Sequence, residues 1–311
     1  MTNIKLIALD LDDTLLREDL TISHYSRSVI KQLEKRGVTV VLASGRSPQA
    51  LQKYAHFLEM NKRPGYLICN NGTTVTESHT GNIVYQVLLP LEPALKVYDL
   101  VDAEGLPIQI YEDDVIFVSR RNEYADQDVK LTGLRQVVVQ NFRSLLAQGA
   151  TKMVIPGDPM LLKPLEIILK TYLGDEVTIF TSKPYFLEIL PPCSGKGEAL
   201  AIVAQRMGLS PHEVMAFGDS MNDESMLRWA TYGVAMKNSQ PAILELAPYV
   251  TEFTNEEDGV ARFLEKHLLR KEPLLPSISQ RNRGPIVTAE GQISSPRRPQ
   301  PSTQEDNPHA G

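Results

Sequence analysis

The sequence predicts an α/β fold: a doubly wound parallel sheet interrupted by a separate α+β module. Three observations predict it. Residues 4–9 form an unbroken apolar and β-prone run as long as a buried parallel strand, and residues 38–43, 66–69 and 214–217 repeat that character. Helical stretches alternate with these runs, which implies a parallel sheet with right-handed crossovers. From about Ile83 to Glu188 the pattern changes to short strand-like runs joined by tight turns, so that sheet is expected to be mainly antiparallel.

Composition bounds the rest. A chain of 311 residues suggests two domains, and 42% apolar content supports sizeable cores. A net charge of −6, with no long basic stripe before the tail, argues against broad binding of nucleic acid or anionic membrane. Small anionic substrates fit through local positive groups. No apolar run approaches the ~20 residues that span a bilayer, and the N-terminus lacks a secretion signal, so the cytoplasm is the expected compartment. Cys69 and Cys193 make neither a disulfide scaffold nor a metal set, and Cys193 reads as a small packing residue.

Each element has a local reason. Ser23 reads as the N-cap of a helix carrying Val29, Ile30 and Leu33 and ending at Gly37. The next strand delivers Ser44-Gly45-Arg46 to its carboxyl end, before a helix that opens near Pro48. Ser44 either caps that helix or joins its amides in an anion site beside the first strand. Arg46 is placed to contact phosphate, but an arginine this close to a helix start is at least as often a surface or ion-pair residue, so it is left out of the candidate site. Tyr66 to Cys69 ends in Asn70-Asn71-Gly72, a turn signal able to lend amides to a site rim. Inside the module, strands are expected at 108–111, 115–118, 152–155, 177–180 and 186–189, with helices at 92–104 and 159–172. Glu112-Asp113-Asp114 joins the first two strands as a hairpin. Ser210-Pro211-His212-Glu213 is a capping box, which places His212 at the surface. The core closes with a helix through Met226, Leu227 and Trp229, a strand at 232–235, and helices near 240–246 and 257–268. From Arg270 onward seven of 42 residues are proline, and 270–311 reads as a disordered Pro-rich tail.

The chemistry sits at two strand ends. The first strand runs into Asp10-Leu11-Asp12-Asp13, three carboxylates within four positions. Carboxylates at the end of a buried strand repel one another and resist desolvation, so they imply a cation or a protonated partner. With oxygen ligands and neither Cys nor His nearby, Mg²⁺ is favoured over Zn²⁺. Asp12 and Asp13 also suit a plain polar turn. A second acidic cluster, Gly218-Asp219-Ser220-Met221-Asn222-Asp223, follows another apolar run and weighs against that plainer reading.

These stretches, with Ala43-Ser44-Gly45-Arg46 and Ser194-Gly195-Lys196-Gly197, resemble the four ordered motifs of the haloacid dehalogenase-like phosphohydrolases. Gly233-Val234-Ala235-Met236-Lys237-Asn238 and Asn255-Glu256-Glu257-Asp258-Gly259-Val260-Ala261 narrow the resemblance to the Cof-type branch. It covers roughly residues 4 to 268. The family implies a discontinuous Rossmann-like core, here 1–82 and 189–269, with 83–188 as an inserted α/β cap.

It also implies Mg²⁺-dependent hydrolysis of a small phosphorylated metabolite, a sugar phosphate, flavin mononucleotide, pyridoxal phosphate or similar, through a phosphoaspartyl intermediate. Asp10 becomes the nucleophile and Asp12 the acid–base group; Asp10, Asp12 through its carbonyl, Asp219 and Asp223 hold the metal; Ser44, Gly45, Lys196 and Asn222 hold phosphate or orient the lysine. Asp223 reads equally as the cap of the helix it opens. Many relatives carry Gly where this chain has Asp13, which fits a turn with positive φ. A phosphomutase using the same two carboxylates, a non-catalytic phosphate-binding regulator and a purely structural cation site stay open. Oligomeric state is not legible.

Overall fold

The computed structural model describes residues 3–276. The chain opens with β1 (Leu6–Leu9), α1 (His24–Lys35), β2 (Thr39–Ala43), α2 (Pro48–Phe57), β3 (Tyr66–Cys69), β4 (Thr74–Glu77) and β5 (Ile83–Gln86). A second set follows: α3 (Leu91–Ala103), β6 (Gln109–Glu112), β7 (Val115–Val118), α4 (Glu123–Thr132), β8 (Arg135–Val138), α5 (Phe142–Leu146), β9 (Met153–Pro156), α6 (Pro159–Leu173), β10 (Thr178–Lys183) and β11 (Phe186–Leu190). The chain returns through α7 (Lys196–Arg206), β12 (Val214–Gly218), α8 (Glu224–Trp229), β13 (Tyr232–Ala235), α9 (Pro241–Leu246), β14 (Tyr249–Val250) and α10 (Gly259–Leu264).

The first sheet has the order β14-β13-β12-β1-β2-β3-β4-β5. Its strands are parallel from β14 to β3, and β4 and β5 add an antiparallel edge. Side chains on β1 alternate between two cores. Ile7 and Leu9 pack with Val29, Leu33, Leu51 and Phe263 on one face, and Leu6 and Ala8 with Leu200, Val203 and Met226 on the other. Burial on both faces explains why β1 and β12 read as continuous apolar runs rather than alternating ones. Strand order reverses between β1 and β12, where ligands of such sheets bind outside the carboxyl ends. The register aligns Leu9 with both Leu42 and Phe217, which brings Asp10, Ser44 and Asp219 to one edge.

The second sheet has the order β10-β11-β9-β6-β7-β8 and is antiparallel except where β8 runs parallel to β7. Its outer face packs Ile110, Met153, Ile155, Leu187 and Ile189 against helix residues Val97, Phe142, Leu165 and Leu169. The alternate positions, Tyr111, Lys152, Val154, Phe186 and Glu188, face a cleft shared with the first sheet.

Two boundaries need correction. Ile83–Gln86 pairs with β4 in the first sheet, so the expected division at 83 falls inside a hairpin whose turn signals mimic a module start. At the far side, Ile189 and Leu190 pair with β10, so the second sheet extends past 188. The strands β4, β5, β8 and β14 and the helices α4 and α5 escaped the sequence reading. Cys193 is exposed at φ +52°, in a turn rather than in packing, while Cys69 is buried. The tail expectation fails at its start, because Leu274 packs against the first core; residues 277–311 lie outside the described residues.

Candidate active site

The strand β1 ends at Asp10, whose amide donates to Phe217 O at 3.1 Å. The following turn needs an abrupt reversal, and Asp13 supplies it at φ +59°, as expected for the position that favours glycine. Asp10 is 4% exposed and Asp219, at the end of β12, 8% exposed. Lys196 opens α7 and is fully buried; its Nζ donates to Asp10 Oδ1 at 2.5 Å and Asp223 Oδ1 at 2.6 Å. Glycines make this approach possible. A Cβ on Gly72, which sits at φ +95°, would lie 2.0 Å from Gly195 O, and one on Gly197 would lie 2.4 Å from the Ser225 backbone.

Of the two expectations for Asp223, the cap of α8 fails. Its Oδ2 accepts the amides of Asp219 at 2.9 Å and Ser220 at 3.2 Å, and its side chain does not cap α8. It clamps the acidic loop and holds Lys196 from behind. Ser44 does not cap α2 either: Ser47 does, accepting from Ala50 N, while Ser44 Oγ accepts from Arg46 N at 3.2 Å. Among the described residues Asn222 makes no hydrogen bond to Lys196. It receives Ser220 Oγ at 2.6 Å and donates to Asn71 Oδ1 at 3.1 Å.

A cleft of about 890 Å³, open solvent at its mouth included, lies between the sheets. Asp10, Asp12, Gly45, Asp219 and Asn222 line it on one side. Ser44, Lys196 and Asp223 lie behind this lining.

Electrostatics follow from burial. Desolvation and the Asp223 charge push Asp10 up to about 7, with Lys196 pulling the other way. Burial, Asp10 and Asp223 raise Asp219 well above the carboxylate range. Lys196 is raised, because its two carboxylates outweigh its desolvation. Oxygens of Asp10, Asp219 and Asp223 all lie within 4.8 Å of one another. Once ionised, three buried carboxylates against one ammonium leave an excess of two negative charges, and every donor is a hard oxygen, so the set fits a divalent hard cation. Asp219 keeps an unpartnered oxygen for it, and the Asp10 oxygen that accepts from Lys196 retains a second lone pair, whereas both Asp223 oxygens already accept hydrogen bonds.

Among known proteins, the family model described as haloacid dehalogenase-like hydrolase matches residues 7–264. The HMP-PP phosphatase of Escherichia coli O6:H1 is 32% identical over 247 residues, 79% of this chain and 89% of its own. The chain belongs to the haloacid dehalogenase-like hydrolases. Solved structures agree. A haloacid dehalogenase-like hydrolase from Bacteroides thetaiotaomicron is 32% identical with a TM-score of 0.76, covering 84% of this chain and 98% of that one. A Thermotoga maritima protein, also 32% identical, has a TM-score of 0.71 with coverages of 84% and 97%. No described helix of this haloacid dehalogenase-like hydrolase is long and apolar enough to cross a membrane.

The residue that sequence reasoning passed over is Arg46. It is 6% exposed, and its guanidinium takes the Asp12 carboxylate through Nε at 2.9 Å and Nη2 at 2.6 Å, while Nη1 donates to Leu131 O at 2.7 Å. Burial alone would raise Asp12, but the Arg46 hydrogen bonds and charge outweigh it and hold the carboxyl below its usual range. A lowered folded pKa stabilises the protein above the unfolded value near 3.9, and that contribution fades as pH falls through the folded pKa. Arg46→Met should therefore cost about 2–3 kcal/mol at pH 7, and the gap should narrow toward pH 3.5. Denaturant midpoints of both proteins across that range check this; a gap that widens on acidification would contradict the pairing.

Proposed function

We propose that this protein is a phosphatase that hydrolyses small phosphomonoesters, such as a sugar phosphate, flavin mononucleotide or pyridoxal phosphate, with Mg²⁺ as cofactor and in the cytoplasm. The observation that carries the reading is the placing of Asp10: a carboxylate on the cleft wall, with one oxygen held by Lys196 and the other left for phosphorus. The Escherichia coli relative named HMP-PP phosphatase supports a small phosphorylated metabolite as substrate.

In this reading the free Asp10 oxygen forms a bond to phosphorus as the bond from phosphorus to the leaving oxygen breaks, and Asp12 delivers a proton to that oxygen. Water then attacks the phosphoaspartate, Asp12 takes its proton, and Asp10 leaves as carboxylate. The pairing with Arg46, which holds the Asp12 carboxyl below its usual range, suits this second half. For the first half its pairing with Arg46 must loosen as substrate enters. Gly45 and Asn222 face the phosphate, with Ser44 and Lys196 supporting it from behind. A divalent cation held by Asp10 and Asp219, with the Asp12 carbonyl and Asp223 in support, supplies charge neutralisation for the phosphate oxygens.

The experiment is phosphate release from a phosphoester panel. EDTA should remove activity and Mg²⁺ should restore it. Restoration by Zn²⁺ but not Mg²⁺ would overturn the choice of metal, and no release from any ester would overturn the phosphatase reading.

A further inference from the structure

The second sheet and α4 gather an unusual set of groups along and just behind the cleft. Four are charged or polar and nearly sealed from solvent: Gln109 at 0% exposure, Lys152 and Glu188 at 4%, and Asp128 at 5%. Most of the charges at this end are already balanced. Lys152 Nζ donates to Glu188 Oε2 and to Gly45 O, each at 2.9 Å, and sits 4.7 Å above the Tyr111 ring. Lys183 pairs with Asp13 at 3.0 Å, and Arg46 pairs with Asp12.

Asp128, on the buried side of α4, is the exception. Among the described residues no cation lies within ion-pair distance of it. Its Oδ2 accepts from Tyr111 OH at 2.6 Å and from Gln109 Nε2 at 2.5 Å, and Tyr111 OH in turn accepts from Gln109 at 2.8 Å. Its Oδ1 has no protein partner among the described residues, and Asp128 lines the cleft. That oxygen opens onto the cleft rather than being sealed in the protein, while burial of the carboxylate as a whole raises Asp128, with the Tyr111 hydrogen bond and the Lys152 charge pulling the other way. The network fixes its rotamer, so the free oxygen is presented at a set position rather than swept through space.

We infer that Asp128, oriented by Tyr111 and Gln109, reads the leaving group by accepting a hydrogen bond from it, so that the preferred esters carry a hydroxyl or amino donor at the end remote from the phosphate. The inference rests on the phosphatase reading above and names its substrate class. A ligand lacking a donor is disfavoured, because covering this oxygen strips it of water without replacing the hydrogen bond. A second phosphate or a carboxylate at that end meets the same carboxylate and is repelled.

The test compares kcat/KM for phosphoethanolamine and a hexose 6-phosphate, which carry amino and hydroxyl donors, with phenyl phosphate, which carries none. Wild type should favour one or both donor-bearing esters by ten-fold or more; which arm responds tells amine from hydroxyl recognition. Asp128→Asn should cut that preference ten-fold or more, chiefly through KM, and Tyr111→Phe should cut it in the same direction by less. A preference within two-fold of wild type in folded Asp128→Asn overturns the inference. Should that variant fail to fold, an unchanged preference in Tyr111→Phe overturns it. If wild type hydrolyses none of the esters, the phosphatase reading fails, and calorimetric Kd values for the same compounds and variants carry the same comparison, with unchanged Kd ratios overturning the assignment of Asp128.

Discussion

Asp10→Asn is expected to abolish phosphate release, by about 10³-fold or more, in a protein that still folds. The substitution keeps the volume of the side chain and removes the nucleophilic charge. Losing a covalent nucleophile costs far more than losing a single hydrogen bond, because the whole two-step route through the phosphoaspartate closes. Folding should survive, since Lys196 keeps Asp223 at 2.6 Å and the repulsion that pushes Asp10 upward disappears. Single-turnover phosphate release and the denaturant midpoint, measured on the same preparation, check both halves. Wild-type-like turnover would end the covalent reading, and an unfolded variant would mean that Asp10 is needed for structure first.

The second large effect is on stability. Lys196→Met should cost about 3–5 kcal/mol, because it strands Asp10 and Asp223 in the interior without their shared cation. Turnover should be lost as well. The cost belongs mostly to the carboxylates left behind, so adding Asp223→Asn to Lys196→Met should recover part of the stability and none of the activity. A double-mutant cycle by chemical denaturation, in metal-free buffer, measures the coupling directly. A single-variant loss under about 1 kcal/mol would mean that the ammonium does not balance the two carboxylates.

What the sequence made legible was whatever strand ends dictate. Asp10, Asp219 and Ser44 follow apolar runs, and parallel strands of a doubly wound sheet end on one side, so their convergence needed no side-chain detail. The glycines around Lys196 were visible, but their cause, backbone packed against Gly72 and Ser225, exists only in three dimensions. Arg46 was not legible as an Asp12 partner because 34 positions separate them and an arginine at a helix start is ordinarily solvated. The polar face of the second sheet was hidden for a related reason. Lys152 and Glu188 alternate with apolar neighbours just as in a strand facing water, and only the opposing first sheet turns that face into an interior. β5 failed on topology: its hairpin turn carries the same residues that mark the edge of a module.

The seam between the two sheets has a consequence of its own. The polar links across it include Lys183 to Asp13, Arg46 to Leu131 O, Lys152 to Gly45 O, and Asn71 to Glu188, and they differ in their access to water and dissolved ions. Lys183 and Asp13 are the most accessible of these charges, and mobile ions screen such pairs over a Debye length of about 8 Å at physiological ionic strength. Added salt thus weakens the link at the mouth of the cleft while leaving the sealed Lys196 cluster nearly untouched. The aperture through which a metabolite passes and the chemistry beneath it therefore answer to different properties of the medium.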